Sequence, residues 1–176
     1  RDIFKEKLDL HHIPALNNVL YNEYILFPIA DFYLKKERWN EAIEVYEEME
    51  TIGALKGRGA EYYQKLGYAL QKNKKYAEAI DAYLKADTLK PDNIWNNRHL
   101  AICYRLNRNY QAALSYYKKV EEATPESTNV IFHIGSCLAE LGQYEEAANY
   151  FFKLDFIESN CIKAWRGIGW CSFISR

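Results

Sequence analysis

Apolar residues recur along this chain at helical spacing, and the pattern of their recurrence itself repeats. In residues 60–93, a first set follows the i, i+3, i+4, i+7 spacing of one helical face: Tyr63, Leu66, Gly67 and Leu70. After the polar turn at 73–75, a second set begins: Tyr76, Ala79, Ile80, Tyr83, Leu84 and Ala86. The segment therefore predicts two amphipathic helices joined by a short turn.

The same pattern returns at a constant step, as KNKKYAEAI at 72–80, LNRNYQAAL at 106–114 and ELGQYEEAA at 140–148. Aligned positions carry small residues, aromatic residues or proline: Gly67, Ala101 and Gly135; Ala79, Ala113 and Ala147; Tyr83, Tyr117 and Phe151; Pro91 and Pro125. The frame extends forward to Trp165, Ile168 and Gly169. With a slip at 57–59 it extends backward to Ala30, Ala42 and Tyr46. A fixed step of about 34 residues is typical of solenoid proteins.

Elementary packing arguments favour the same architecture. Small residues such as Gly67 and Ala79 allow two helices to approach closely, and large side chains fill the neighbouring grooves. Proline at the end of a unit stops the second helix, because it lacks an N–H and clashes with the preceding turn. A single hairpin cannot bury its apolar face, so successive hairpins are expected to stack.

These columns resemble the tetratricopeptide repeat, a helix–turn–helix unit of the same length. The resemblance places repeats at 23–56, 60–93, 94–127 and 128–161, and the first helix of a truncated fifth repeat at 162–176. It implies an all-α, right-handed superhelical solenoid. Several residues depart from the family pattern: Met49, Ala54, Asn97, Ser159 and Ser172. Residues 1–22 are interpreted as an N-terminal helical segment, the remnant of a preceding repeat in a longer protein.

Composition narrows the classes of partner. The 23 basic residues are balanced by 24 acidic residues, leaving a net charge of −1. A general nucleic-acid or membrane-surface binder would need an excess of Lys and Arg, so neither partner is expected. The most concentrated apolar run, at 24–30, is far shorter than the roughly 20 residues that span a bilayer.

The cysteines and histidines raise the question of metal binding or catalysis. Cys103, Cys137 and Cys171 recur at the same constant step, while Cys161 stands alone. Equivalent positions on stacked helices are about 8–10 Å apart, beyond the roughly 7 Å limit between the Cα atoms of a disulfide. The cysteines are therefore predicted to be unpaired core residues, which favours a reducing compartment such as the cytoplasm.

Two i, i+4 pairs, His99–Cys103 and His133–Cys137, could supply zinc ligands or Cys–His dyads. The two pairs come from different repeats, and no acidic residue is placed to orient the histidines. The favoured interpretation is therefore that both pairs occupy the same packing positions in successive repeats. No metal, no cofactor and no enzymatic activity are predicted. The neighbouring pair His11–His12 is expected to be solvated.

The resemblance implies that the first helices of the repeats line a concave groove. The residues that it assigns to the peptide-binding groove combine cations with aromatic rings: Trp95, Arg98, Arg105, Phe132, Lys163, Arg166 and Trp170. Such a set suits a segment with acidic and apolar side chains. Alternatively, the four charges are simply solvated, and Trp170 packs with Phe173 against a further helix. Trp39 and Trp165 fall in core columns.

Some tetratricopeptide domains clamp the C-terminal carboxylate of chaperone tails through a set of Lys, Asn and Arg side chains. The corresponding positions here hold Gln64, Tyr68, His99, Asn129 and His133, or, one repeat later, Arg98, Ile102, His133, Lys163 and Gly167. Neither set matches. The sequence therefore predicts a non-catalytic scaffold for a protein or peptide ligand other than these tails. The alternative is a structural spacer, or a module that self-associates through uncapped terminal repeats.

Overall fold

The computed structural model describes residues 19–53 and 58–174, with side chains from residue 24 onward. Within these ranges the chain forms helices and no strands, which confirms the predicted all-α fold. The helices are α1 (Val19–Lys35), α2 (Trp39–Thr51), α3 (Gly59–Lys72), α4 (Tyr76–Leu89), α5 (Ile94–Leu106), α6 (Tyr110–Ala123), α7 (Thr128–Glu140), α8 (Tyr144–Ile157) and α9 (Ile162–Ile174).

The predicted N-terminal segment falls mostly outside the described residues. Residues 1–18, including His11 and His12, are not described, and neither are 54–57 with Ala54 and Gly57. Helix α1 begins at Val19 and continues through Pro28 without a break. The backbone therefore enters the first hairpin as one helix, beginning before the repeat boundary predicted at residue 23.

The helices stack in chain order. Each helix packs against the next, from α1 with α2 through to α8 with α9. The odd-numbered helices also contact one another, α3 with α5 and α7 with α9. In a stack of helical hairpins, a helix that also contacts the helix two places along the chain belongs to the inner layer of the stack. We call the surface formed by α3, α5, α7 and α9 the groove face.

Four turns inside the hairpins share one backbone geometry. Glu37, Lys74, Arg108 and Gly142 have positive φ angles of 56°, 63°, 61° and 77°. At the end of α3, the N–H of Lys75 donates to the carbonyl of Leu70 at 2.9 Å, and the N–H of Lys74 donates to Gln71 at 3.1 Å. The equivalent pair of backbone hydrogen bonds is present at the C-terminal ends of α1, α5 and α7. This is the Schellman arrangement, which satisfies the last carbonyls of a helix and reverses the chain.

An aromatic ring from each even-numbered helix lies at the centre of the core: Tyr46, Tyr83, Tyr117 and Phe151 are all fully or almost fully buried. The helix before each ring comes very close to it. A Cβ atom built on Gly67 would lie 2.9 Å from the ring of Tyr83, and one on Gly135 would lie 2.9 Å from Phe151. Small residues are therefore needed at these positions.

The helix after each ring contacts it as well. His99 of α5 stacks on Tyr83, and His133 of α7 stacks on Tyr117, with ring centroids 5.7 and 5.4 Å apart. In α9 the equivalent residue is Gly167, where an added Cβ would meet the ring of Phe151 at 2.6 Å. Each ring thus joins one hairpin to the next.

A buried hydrogen bond reinforces two of these junctions. The hydroxyl of Tyr62 donates to the carbonyl of Tyr46 at 2.7 Å, and the side-chain amide of Asn96 donates to the carbonyl of Tyr83 at 3.0 Å. Asn96 is thereby buried with its donor satisfied. Its neighbour Asn97 is also buried, and the side-chain oxygens of both residues lack a hydrogen-bond partner in the described chain. The departure from the family pattern at Asn97 therefore carries an energetic penalty.

The end of the stack differs from its interior. Trp165 falls in a core column of the sequence but is 58% exposed, because no described helix covers its side of α9. Other apolar residues of α8 and α9 are exposed as well, including Phe156 and Phe173. Trp39, by contrast, is half-buried and packs edge-on against Tyr68. None of the helices described is both long and apolar enough to cross a membrane.

The Gly135–Phe151 contact gives a stability test with an internal control. Gly135→Ala places a methyl group against a ring that Gly167 also confines, so we expect a loss of about 1–3 kcal/mol in unfolding free energy. Gly169→Ala, where an added Cβ meets no atom within 4 Å, should instead gain up to about 1 kcal/mol from helix propensity. Urea unfolding of both variants measures the difference. Equal stability of the two would contradict the close approach.

Candidate peptide-binding groove

All seven residues predicted for the groove lie on odd-numbered helices. Trp95, Arg98 and Arg105 are on α5, Phe132 is on α7, and the other three are on α9: Lys163, Arg166 and Trp170. Odd-numbered helices form the inner layer of the stack. The set is therefore distributed along the C-terminal half of the groove face.

Four of the seven residues surround one cavity between α7 and α9. Phe132, Lys163, Arg166 and Trp170 line a volume of about 370 Å³, together with Ser136, Glu140, Phe151 and Gly167. The ammonium group of Lys163 lies 5.8 Å from the centroid of the Phe132 ring. The absent side chain of Gly167 leaves the ring of Phe151 as part of the wall. The cavity thus combines aromatic walls with cations.

Trp95 belongs to a different cluster. Its ring centroid is 4.0 Å from that of His99 and 6.3 Å from that of Tyr68, and the side chain remains 43% exposed. Tyr68 in turn contacts Trp39. The result is a partly exposed aromatic surface that spans α2, α3 and α5, separate from the α7–α9 cavity.

The charges of the groove face differ between its two halves. In the N-terminal half, Lys65 forms ion pairs with Asp31 at 2.8 Å and with Glu61 at 2.9 Å. In the C-terminal half, Arg98 reaches only the Ser127 hydroxyl, at 3.5 Å. Across the described part of the chain, four cations of this half lack a carboxylate partner: Arg98, Arg105, Lys163 and Arg166. Unpaired positive charge therefore gathers along α5 and α9.

Two polar triads of equivalent position lie beneath this surface. In the first triad, the side-chain oxygen of Gln71 accepts from the Tyr83 hydroxyl at 3.1 Å and lies 2.7 Å from His99 Nδ1. The second triad, one repeat further along, consists of Arg105, Tyr117 and His133. Each histidine is stacked on the tyrosine of its triad. From the sequence, both histidines were candidate metal ligands or catalytic groups. The spacing of each histidine from its tyrosine, Tyr83 or Tyr117, is the same in the two repeats, and this shared spacing was the available signal for stacking.

Burial keeps both histidines neutral near neutral pH. Desolvation lowers the pKa of His99 to about 4, with smaller contributions from the charges of Arg98 and Lys72. Desolvation also lowers the pKa of His133 to about 4, assisted by the charges of Arg105 and Lys163. Neither imidazole therefore adds positive charge to the groove at neutral pH.

The cysteine thiols are buried and unpaired. Burial raises the pKa of Cys103 to about 12 and that of Cys137 to about 11. Thiols with such pKa values hold their protons at neutral pH, and the thiolate is the form that reacts or binds metal. In the ranges that the structure describes, no group of three or more His, Cys, Asp and Glu side chains could hold a metal ion.

Family models place the chain in a known class. Residues 26–53 and 60–93 each match a tetratricopeptide repeat, and residues 89–154 match the anaphase-promoting complex, cyclosome, subunit 3 family. The chain is therefore a tetratricopeptide-repeat protein, as its columns of residues indicated. Proteins of this fold act as scaffolds for protein–protein interaction, and that is the function of this chain at the level of class.

Solved structures of similar fold include several of MamA. "MamA MSR-1 C2" is 25% identical with a TM-score of 0.75, over 87% of this chain and 86% of that one. "MamA 41-end from Desulfovibrio magneticus RS-1" is 18% identical with a TM-score of 0.78, over 88% and 85%. "Crystal structure of MamA" is 18% identical with a TM-score of 0.74, over 84% of each chain. These likenesses confirm the helical solenoid fold. No curated protein sequence matches the chain significantly.

The buried histidines predict a pH-dependent stability. Between the ordinary histidine pKa of 6.5 and the folded value of about 4, the unfolded chain binds protons that the folded chain excludes. The free energy of unfolding should therefore fall as the pH is lowered from 6.5 toward 4.

Urea unfolding at a pH of about 7.5, 6 and 5 measures this dependence. The double variant His99→Gln/His133→Gln should show a shallower decline, while retaining the contribution of the carboxylates. Identical pH dependence of the two proteins over this range would contradict the assignment.

Proposed function

We propose that the C-terminal half of the groove face binds a segment of a partner protein that carries acidic and large apolar side chains. The binding residues are the seven predicted from the sequence: Trp95, Arg98, Arg105, Phe132, Lys163, Arg166 and Trp170. The observation that carries this proposal is the α7–α9 cavity, where Lys163 and Arg166 lie beside the rings of Phe132 and Trp170.

The charge pattern supports an acidic ligand. The chain as a whole has a net charge of −1, so the four unpaired cations reflect local arrangement rather than a basic composition. Cations without intramolecular partners attract a ligand of opposite charge and repel one of like charge. The balance of 23 basic and 24 acidic residues also favours a protein ligand over a nucleic acid.

The aromatic rings support an apolar anchor beside the acidic groups. Trp170 is 44% exposed, and Phe132 is held against α8 by contact with Phe151. Exposed rings fixed on helices provide contact area with little loss of side-chain entropy on binding. A stacked array of helices therefore presents a preformed surface, and this presentation is the mechanism of the proposed scaffold.

The proposal includes the division of the chain and the absence of catalysis. Each of the ranges 60–93, 94–127 and 128–161 contains one odd-numbered helix and the following even-numbered helix. Helix α9 occupies the proposed fifth repeat, and α1 with α2 occupies most of 23–56. The protonated, buried thiols support a non-catalytic role.

Charge reversal tests the proposed groove. Arg98→Glu/Arg166→Glu should abolish capture of the partner from cell lysate, because it places negative charge where acidic side chains bind. The matched control is Lys90→Glu/Lys118→Glu, which changes the net charge equally at two exposed lysines outside the odd-numbered helices. Circular dichroism confirms folding of both variants, and mass spectrometry identifies the captured proteins.

Peptide arrays of each captured protein then locate the bound segment, which should contain Asp or Glu together with Leu, Phe or Trp. Undiminished capture by Arg98→Glu/Arg166→Glu would reject the basic half of the groove. Loss of capture by the control variant as well would show that capture depends on the net charge of the chain and not on the groove.

Self-association is the second candidate function, and the exposed face of α8 and α9 favours it. Phe156 is 89% exposed and Phe173 is 80% exposed, and Trp165 is exposed as well. Exposed apolar patches of this kind mark protein–protein contacts. In the preceding repeat, Ile131 holds the position of Trp165 and is fully buried within the same chain. We propose that a second copy of the chain covers Trp165, Phe156 and Phe173.

Mass measured by sedimentation should rise with protein concentration from that of a monomer to that of a dimer. Phe156→Asp/Phe173→Asp should remain monomeric at every concentration, because it adds charge to the contact without disturbing a buried residue. A wild-type chain that stays monomeric throughout would reject self-association.

A further inference from the structure

The two polar triads occupy equivalent places but have different chemistry. Gln71 in the first triad and Arg105 in the second hold the same position of successive repeats, as do the two tyrosines and the two histidines. The substitution of Arg for Gln removes a carbonyl acceptor and introduces a group that can only donate. The first triad therefore shows which acceptor the second one lacks.

The first triad is closed by that acceptor. Gln71 Oε1 lies 3.1 Å from the Tyr83 hydroxyl and 2.7 Å from His99 Nδ1. A carbonyl oxygen has two lone pairs and can accept from both groups at once. Within this triad the hydroxyl and the imidazole nitrogen both have partners, as buried polar groups normally do.

The second triad contains three buried polar atoms without a hydrogen-bond partner among the described residues. They are Arg105 Nε, the Tyr117 hydroxyl oxygen and His133 Nδ1. Tyr117 is only 1% exposed, so its hydroxyl cannot rely on bulk solvent. Leaving such groups unpaired is unfavourable, and three of them in one cluster is unusual for a folded protein.

Arg105 lies near the Tyr117 hydroxyl without satisfying it. Burial raises the pKa of Tyr117 to about 12, and hydrogen bonding from the Arg105 guanidinium, together with its charge, opposes that rise. The guanidinium is therefore within reach of the hydroxyl, but the contact is too poorly aligned to satisfy either Arg105 Nε or the Tyr117 oxygen. Such a weak contact leaves both groups able to donate to a better-placed acceptor.

Positive charge surrounds the second triad. Arg105 and Lys163 both lie close enough to His133 to lower the pKa of its imidazole. Lys163 also lines the α7–α9 cavity, together with the carboxylate of Glu140. Glu140 forms no ion pair with either cation in the part of the chain described. Lys163 thus links the triad to the cavity, and the two cations near His133 outnumber the single carboxylate of Glu140.

From this arrangement we propose that the second triad is a carboxylate subsite of the groove. An Asp or Glu side chain of the bound segment supplies the oxygen that Gln71 supplies in the first triad. It accepts hydrogen bonds from Arg105 and Tyr117, and Lys163 balances its charge. The inference rests on the proposed groove function and adds the position at which an acidic residue is required.

The unliganded chain protects this subsite. The three polar atoms are closed to solvent, so a ligand carboxylate reaches them only if a side chain moves, and we assign that movement to Arg105. That side chain is half-buried and has several rotatable bonds, and Arg binds carboxylates through two parallel hydrogen bonds. Arg105 is therefore a binding residue whose unpaired state lowers the stability of the free protein.

Arg105→Gln separates binding from stability, because it gives the second triad the same three side chains as the first, including the carbonyl acceptor. We expect the melting temperature to rise by about 2–4 °C and carboxylate affinity to fall by about tenfold or more. The control Gln71→Arg removes the carbonyl acceptor from the first triad, so the melting temperature of this variant should fall. A lower melting temperature for Arg105→Gln, or unchanged carboxylate affinity, would overturn the proposal.

Histidine NMR resonances provide the binding measurement. Titration of the wild-type chain with sodium acetate at constant ionic strength should shift His133 saturably and leave His99 unchanged. Acetamide, which has no charge, should shift neither. An equal response to sodium chloride would show an ionic effect without a carboxylate site, and a stronger response to inorganic phosphate would replace carboxylate by phosphate as the ligand class. Either result, or no response of His133, overturns the carboxylate subsite.

Capture of the partner distinguishes failure of the subsite from failure of the groove. Loss of capture by Arg98→Glu/Arg166→Glu with full retention by Arg105→Gln would reject the subsite and keep the groove. Retention by both variants would reject both. Loss in both, with a bound peptide whose key Asp or Glu cannot be replaced by Asn or Gln, supports both.

Discussion

Each hairpin of this solenoid is organised around one aromatic ring that the helices on either side approach closely. Tyr83 illustrates the contact: Gly67 of the preceding helix allows it, and His99 of the following helix stacks on the same ring. A larger residue at Gly67 would collide with the ring, and a missing ring would leave a cavity between hairpins. The spacing and order of the helices follow from this contact.

Because the contact recurs in register, a substitution at one position has an interpretable local effect. Tyr62 and Asn96 donate to the carbonyl of the preceding ring residue from different side chains, so this hydrogen bond is kept at both junctions. The change from Gln71 to Arg105 is different, since it leaves polar atoms unpaired. Such a departure lowers stability, and proteins retain unfavourable arrangements of this kind where binding makes use of them.

The core and the groove divide their tasks between two kinds of residue. Buried rings and small residues hold the helices in place, so the cations of α5 and α9 are not needed for folding. Arg166 and Lys163 can therefore stay without carboxylate partners and line the α7–α9 cavity. Exposed ion pairs contribute little to stability in any case. The surface is consequently free to vary in charge while the scaffold is preserved.

The order of residues was enough to establish the class of protein and the all-α fold, because a fixed repeating period specifies which face of each helix is buried. It also placed Tyr83, Tyr117 and Phe151 in one buried column. These features depend on the spacing of residues within a helix, which can be read directly from the sequence. Contacts across helices are different: packing placed Gly167 against Phe151, and it left Trp165 exposed although its column is a core column. It also separated Trp95 from the cavity that Trp170 lines. The physical reason is that burial of a side chain depends on the helix that covers it. Periodicity defines a helical face, whereas packing between helices decides what that face contacts.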